Sequence, residues 1–319
     1  MASEARAHSW APATWRTKAS QWKRYIAFCT WLGCRVLPTD VTTMSRYIMF
    51  LSDCLKYRTI DNYVSGVISL NLYFGYDVQY IRQNFAFNAT LHGLRRILGD
   101  PVPIRVTLSI DDLLRMFAYV DTDDYNECVM WTCLVTSFRS LLRKSNLVPS
   151  TARETEGHFL RRDAFTFHAW GVMLRISSSK TIQYGQRVHL VPITFTPGSP
   201  LCAASLLQRH FAETRALPDS PAFLVYKGGK LVQLSYPVLL KFVKRLIKSI
   251  GVNPDRSGVH SLRRAGAVFL HQSGIPLEDI RQVGDWASLT ALIYLAKPMS
   301  ARIELDLVVS GALVAASKK

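Results

Sequence analysis

A short run at residues 99–103, GDPVP, most restricts how this chain can fold. Two prolines and a glycine within five residues cannot continue a helix, so an element must end before them. The chain has 319 residues, which is long enough for two domains with separate cores. We therefore divide it into residues 1–100 and residues 101–319.

Before this break, apolar residues recur at helical spacing. In WRTKASQWKRYIAFCTWLG, the side chains of Trp22, Tyr25 and Phe28 fall on one broad face of a helix. Further segments of this kind continue to about Leu98. Residues 1–100 are therefore predicted to form a helical domain.

Beyond the break, two helical segments are followed by strand patterns. AFTFHAW, GVMLRIS and RVHLVPI are predicted strands, and the last two flank a polar tip, SSSKTIQYGQ. Helical patterns then return, among them HSLRRAGAVFLHQSG, LEDIRQVG and SLTALIYLAK. The predicted fold class is mainly α with a small antiparallel β-sheet, in which a helical domain precedes a mixed α+β domain.

Charge gives the first indication of a partner. The formal net charge is +16, and residues 1–100 hold 12 Lys and Arg against 6 Asp and Glu, so both parts carry an excess. A polyanion held between two basic domains explains this distribution, and nucleic acid is the leading candidate. The alternative is a protein that is basic without a polyanionic partner.

The composition argues against a metal site and a membrane protein. The six cysteines include no CxxC pair and no His–Cys zinc spacing, so we expect no metal and no cofactor. The longest apolar run, LVVSGALVAA, is shorter than the roughly 20 residues that span a bilayer, and the N-terminal residues contain no apolar core of the kind found in signal peptides. The sequence predicts an intracellular protein, nuclear if its source is a eukaryote.

A five-residue motif, HxLRR, occurs twice, as HGLRR at residues 92–96 and as HSLRR at residues 260–264. Each copy places a histidine three residues before an arginine, so both side chains share one face of a helix. The first copy is followed by ILGDPVP. The second is followed by GDW, which contains Trp286, and by ALIYLAKP, which contains Tyr294.

The second copy belongs to a larger set of residues. The segment LLRKSNL contributes an arginine and the polar tip contributes a lysine, which gives the order Arg143, Lys180, His260, Arg263, Trp286 and Tyr294. This order resembles the catalytic set of the tyrosine recombinases, the phage-integrase family. The phrases LLRKSNL, SKTIQYGQRV, HSLRRAGA and GDW resemble most closely the recombinases of eukaryotic DIRS-like retrotransposons and cryptons.

The resemblance implies a site-specific DNA recombinase that cuts and rejoins DNA through a 3′-phosphotyrosine, for integration or excision of a mobile element. Residues 1–100 would form its core-binding domain and residues 101–319 its catalytic domain. Four protomers, a homotetramer, would assemble on two duplexes. The segment that begins at Ala301 would form a helix that docks on a neighbouring protomer or closes its own domain.

The chemistry of strand transfer explains these residue types. A phenol has an ordinary pKa of about 10 and therefore attacks a phosphate only beside a base or strong positive charge. Two arginines can hold the non-bridging oxygens, while Lys180 can protonate the leaving 5′-hydroxyl. His260 can exchange a proton with the phenol or bind the phosphate, and Trp286 can donate its indole N–H while its ring packs the site.

Four further cations are predicted to contact DNA: Arg95, Arg96, Lys144 and Arg264. Arg264 points about 100° away from the His260 face, so a backbone phosphate or a carboxylate is its expected partner. Asn146 stands where the phage family has an acidic residue, and we expect its amide to orient Arg143.

Several alternatives remain open. Arg139 competes with Arg143 for the first arginine, and Tyr184 and Tyr226 are weaker candidates for the nucleophile because no GDW precedes them. The spacing from Trp286 to Tyr294 is one residue shorter than in the phage enzymes. Two other functions also fit: a type IB topoisomerase-like nicking-closing enzyme, and a catalytically silent domesticated DNA-binding protein.

Overall fold

The computed structural model describes residues 4–5, 8–101 and 106–286. The chain divides into two compact units at the boundary between residues 103 and 104. Within the described ranges, no helix combines the length and the apolar character needed to cross a bilayer.

The described part of the first unit is helical, as its sequence periodicity predicts. Its helices are α1 (Pro12–Leu32), α2 (Val41–Ser52), α3 (Tyr57–Tyr73), α4 (Tyr80–Gln83) and α5 (Phe85–Leu98). Their apolar faces meet in one core, where Tyr25, Tyr47 and Ile60 are fully buried. This burial provides the main stabilisation of a helical bundle.

Helix α5 carries the HGLRR segment near its C-terminal end. Leu91 and Leu94 lie on its apolar face and are buried in the core of the first unit. Arg95 and Arg96 therefore lie on the exposed side of the helix, in its last turn.

The second unit combines helices with two small antiparallel sheets. Its helices are α6 (Ile110–Phe117), α7 (Tyr125–Arg139), α8 (Lys144–Leu147), α9 (Ala203–Glu213), α10 (Tyr236–Ser249), α11 (Val259–Gln272) and α12 (Leu277–Gly284). Its strands are β1 (Phe165–His168), β2 (Gly171–Ile176), β3 (His189–Thr194), β4 (Leu224–Lys227) and β5 (Lys230–Gln233).

The three predicted strands form one sheet in the order β1-β2-β3, and every pair is antiparallel. The register pairs Ile176 with His189, so the connection of residues 177–188 leaves the sheet from this end. Ser179 and Ile182 exchange two backbone hydrogen bonds across a tight turn in that connection. Lys180 lies inside this turn and is exposed.

The hairpin formed by β4 and β5 is an element that the sequence analysis did not identify. Its turn consists of Gly228 and Gly229, which both have positive φ. A two-residue Gly-Gly turn between short strands is a recognised hairpin signal, so LVYKGGKLVQ could have been identified.

Helix α11 packs directly against α7 at the centre of the second unit. Residues 129–138 of α7 are all buried. A Cβ on Gly266 of α11 would lie only 2.2 Å from the carbonyl oxygen of Phe138. The glycine in HSLRRAGA is therefore required for close approach of the two elements.

Candidate active site

Arg263 is anchored at the centre of the second unit. It is 2% exposed, and its guanidinium donates hydrogen bonds to the carbonyl oxygens of Leu141 and Gly284, the latter over 2.6 Å. The same guanidinium lies 4.4 Å from the centre of the Trp286 ring. These contacts fix the group between the residues that precede α8 and the C-terminal end of α12.

Arg143 approaches the same segment from another side. It is the residue before α8, and its Nη2 donates to the carbonyl oxygen of Asp285 over 3.3 Å. Its Nη1 lies 3.9 Å from the Asp285 carboxylate and 3.4 Å from Thr181 Oγ1. Arg143 and Arg263 therefore bind the carbonyls of two consecutive residues and line one small cavity.

The Asp285 carboxylate joins this pair of arginines to the turn from Ser179 to Ile182, which carries Lys180 and is called the lysine turn below. It accepts hydrogen bonds from Thr181 Oγ1 and from Arg187, and Ser179 Oγ lies 3.4 Å from it. Thr181 directly follows Lys180, so the carboxylate holds the turn that carries the lysine.

The surroundings of Asp285 keep its carboxylate charged. Burial alone would raise the pKa of this carboxyl, but the hydrogen bonds from Arg187 and Thr181 hold that pKa below its ordinary value. At neutral pH the group is therefore an anion between two guanidinium groups.

The local structure explains the residue type at each of the three positions of GDW, residues 284–286. A Cβ on Gly284 would lie 2.4 Å from the Trp286 ring, so only glycine leaves room for the indole. Asp285 ends α12 in the left-handed conformation, with φ 50°. Trp286 packs beside Leu141 and Ile280, and its ring covers the Arg263 guanidinium.

In the described chain, Leu141 and Asp285 are the non-glycine residues with positive φ. Both offer a backbone carbonyl to one of the two arginines. Such conformations are uncommon for these residue types and tend to occur at functional sites.

The remaining predicted catalytic residues are placed as follows. His260 is half-buried in the first turn of α11, one helical turn before Arg263 and on the same face. Lys180 is exposed at its turn. Tyr294 lies outside the described residues, as do the segment from Ala301 and the predicted helix SLTALIYLAK.

The predicted DNA contacts differ in their surroundings. The Lys144 ammonium lies 4.1 Å from the centre of the Tyr236 ring, and Arg264 is half-buried on α11. In the first unit, Arg95 pairs with Asp100 over 2.8 Å and remains 57% exposed. Arg96 is exposed beside it.

The expected role of the Asn146 amide is wrong. This side chain donates to the carbonyl oxygens of His158 and Ser178, so it fastens the chain near the end of β2 rather than Arg143. The acidic partner of Arg143 comes from Asp285, which is remote in sequence. Arg139 ends α7 and is half-buried, whereas the contact with the Asp285 carboxylate is made by Arg143.

The chain is similar in sequence and in structure to several known proteins. No family model matches the chain. An integrase/recombinase xerD homolog from Selenomonas ruminantium is 22% identical over 269 residues, which cover 83% of this chain and 75% of that protein. The Tn1549 transposon integrase in complex with transposon right end DNA superposes with a TM-score of 0.66 at 15% identity, over 97% of this chain and 98% of that one.

This chain has the tyrosine-recombinase fold. A lambda integrase dimer bound to a COC′ core site also superposes, with a TM-score of 0.54 at 16% identity over 90% of this chain and 89% of that one. The predicted fold class and the resemblance to tyrosine recombinases are therefore confirmed. The narrower resemblance to recombinases of eukaryotic mobile elements stays a prediction.

Within this tyrosine-recombinase fold, the sequence analysis missed Asp285 and Thr181 as residues of the site. Both lie inside phrases that it quoted, GDW and SKTIQYGQ, but neither received a role. The absence of an acidic residue from LLRKSNL could have indicated them. An arginine in a partly buried site needs a carboxylate or carbonyl oxygens nearby, so another segment had to supply them. In the described ranges, no group of three or more His, Cys, Asp and Glu residues could hold a metal ion.

Proposed function

We propose that this chain is a site-specific DNA recombinase that cuts and rejoins DNA through a 3′-phosphotyrosine intermediate. The observation that carries the proposal is the convergence of Arg143, Arg263 and the lysine turn on the dipeptide Gly284–Asp285. Arg143 and Asp285 are 142 residues apart in sequence. A set of cations from three segments, gathered at a fourth, suits one phosphate better than it suits a general DNA surface.

Each residue has a defined role in the proposed reaction. Arg143 and Arg263 stabilise the charge that develops on the non-bridging oxygens as the phosphorus becomes five-coordinate. The Tyr294 oxygen attacks phosphorus, the bond to the 5′-oxygen breaks, and Lys180 delivers a proton to that oxygen. His260 exchanges a proton with the phenol, and the reverse sequence rejoins the strand.

The fixed position of Arg263 supports this division of roles. Two carbonyls and the Trp286 ring hold its guanidinium before any substrate arrives. A preorganised cation does not have to be reorganised during the reaction, which is the main source of electrostatic catalysis. Arg143 is less buried, with 21% of its side chain exposed, and presents its charge nearer the surface.

The proposed partner is double-stranded DNA, and the proposed assembly is a tetramer that joins two duplexes. The net charge of +16 supports the DNA partner. The Tn1549 integrase and lambda integrase structures, which share this fold, were determined with bound DNA. We place the protein inside the cell, in the nucleus if the source is a eukaryote.

A suicide substrate tests the chemistry. DNA sites are first selected from a random pool, and a nick is placed so that the cleaved strand loses a short fragment and cannot be rejoined. We expect a covalent protein–DNA adduct on a denaturing gel, and we expect Tyr294→Phe to abolish it while DNA affinity stays unchanged. Tyr184→Phe is the matched control, since Tyr184 is 86% exposed and lies four residues from Lys180.

An adduct that persists in Tyr294→Phe would show that a different residue attacks. Added EDTA should leave the adduct yield unchanged, because the proposed steps use side chains alone. Relaxation of supercoiled DNA without exchange between two sites would favour the topoisomerase-like alternative, and binding without any adduct would favour the silent DNA-binding protein.

A further inference from the structure

The Asp285 carboxylate reaches two parts of the site at once. It accepts from Thr181 Oγ1 in the lysine turn and lies 3.9 Å from Arg143 Nη1. It also pairs with Arg187, from the same connection between β2 and β3. The carboxylate side chain is only 12% exposed, so water competes weakly for these contacts.

The lysine turn needs such a support. Lys180 is exposed in a connection of twelve residues, 177–188, between two strands. Connections of this length are mobile unless their side chains are fixed elsewhere. Ser179 and Thr181 flank the lysine, and both hydroxyls donate hydrogen bonds to the Asp285 carboxylate. The turn is therefore attached to the end of α12 on both sides of Lys180.

We infer that Asp285 is the positioning residue that aligns the lysine turn with Arg143, replacing the acid that this chain lacks at Asn146. The inference rests on the proposed function, because it assigns Lys180 to the leaving group and Arg143 to the phosphate. Asp285 itself does not contact the reacting atoms. It holds the proton donor and the anion-stabilising group at a fixed separation.

The chemistry of the leaving group provides a readout that a general structural defect would not change. When sulfur replaces the 5′-bridging oxygen, the P–S bond breaks to give a thiolate, which leaves without a proton. A variant that misplaces the lysine should therefore regain activity on the sulfur substrate. A variant that loses Arg143 should remain equally impaired on both substrates.

The experiment compares single-turnover adduct formation by the full chain at saturating protein on matched oxygen and sulfur substrates. We expect Asp285→Asn to slow cleavage of the oxygen substrate by about 100-fold and that of the sulfur substrate by about 10-fold, since only the arginine part of the defect remains. Asparagine tolerates the left-handed backbone at this position, and it has the same size.

Thr181→Val removes the hydrogen bond that joins the lysine turn to Asp285, together with the 3.4 Å contact of Arg143 Nη1 with the same hydroxyl. Arg143 keeps its contacts with the Asp285 carbonyl and carboxylate, so its position depends little on this hydroxyl. We expect about a 10-fold loss on the oxygen substrate and wild-type cleavage of the sulfur substrate. This second variant keeps the test valid if Asp285→Asn does not fold. Asp279→Asn, which neutralises an exposed acid on the same helix, is the matched control and should cleave both substrates at the wild-type rate.

Equal losses on both substrates for Asp285→Asn, with DNA affinity and melting temperature unchanged, would overturn the inference. Cleavage within about twofold of wild type on the oxygen substrate would also overturn it. The absence of any adduct with the wild-type protein would instead refute the proposed function, so the two failures are distinguishable.

Discussion

The two HxLRR copies have nearly the same letters and opposite surroundings. HGLRR lies near the end of α5, where Arg95 is 57% exposed and pairs with Asp100. HSLRR lies at the start of α11, where Arg263 is 2% exposed and held by two carbonyls. In both copies the leucine is buried, so the motif defines an amphipathic turn. What the arginine does depends on whether the next element covers it.

The difference arises from the segments of the chain that pack against each copy. In the second unit, Trp286 and the residues around Leu141 close over Arg263, and Gly266 allows this approach. Around Gly93, in the first copy, no atom of the described residues other than the backbone of its own helix and its two chain neighbours lies within 4 Å of an added Cβ. An exposed cation can bind any phosphate through charge, whereas a buried one acts only at a specific place.

The largest expected effect is on cleavage. Arg263→Ala should lower the cleavage rate at saturating protein by about 1000-fold, equivalent to about 4 kcal/mol, because a fixed cation is removed. Arg95→Ala should leave that rate near wild type. Single-turnover adduct assays on both variants measure this contrast, and equal rates would remove the proposed distinction between the copies. Arg263→Lys retains the charge without the forked geometry and should also be strongly impaired.

Packing provides the next test. Gly266→Ala should lower the free energy of unfolding by at least about 2 kcal/mol, because its methyl group would collide with the Phe138 carbonyl oxygen at 2.2 Å. Urea denaturation of the full chain measures the change. A wild-type midpoint would mean that α7 and α11 separate easily and that their packing does not fix Arg263.

Salt dependence tests the first copy. Replacing Arg95 and Arg96 by glutamine should weaken binding to all DNA sequences. The slope of log affinity against log salt should flatten by about 0.9 for each DNA phosphate that an arginine no longer neutralises. Cleavage by this double variant should approach wild type once the DNA is saturated. An unchanged slope together with inactivity at saturation would assign the first copy to the chemistry.

The smallest expected effect has the opposite sign. Gly93→Ala should raise the free energy of unfolding by about 0.5–1 kcal/mol, because alanine is favoured over glycine inside a helix and space is open at this position. Urea denaturation of Gly93→Ala and Gly266→Ala compares a helix position with free space around it with a helix position that is tightly packed. A loss of stability in Gly93→Ala would show that the first copy is also tightly covered.

The sequence predicts the local parts of this molecule better than the distant contacts. The helix Val259–Gln272 and the strands around the lysine turn follow from periodicity, which acts within one element. The contact between Thr181 and Asp285 spans 104 residues, and no pattern within either segment specifies it. The expectation for Asn146 was wrong for the same reason, since the position of an acid in the sequence does not fix its position in space.

The long separations within the site have a consequence during protein synthesis. Arg143 meets the Asp285 carbonyl 142 residues later, a stretch that takes roughly 7 to 28 s to synthesise at about 5–20 residues per second. Arg263 likewise receives its second carbonyl only when Gly284 has been made. A nascent chain on the ribosome can therefore complete the first unit long before both arginines are fixed. A prematurely released chain would carry the exposed arginines of HGLRR without an assembled cutting site.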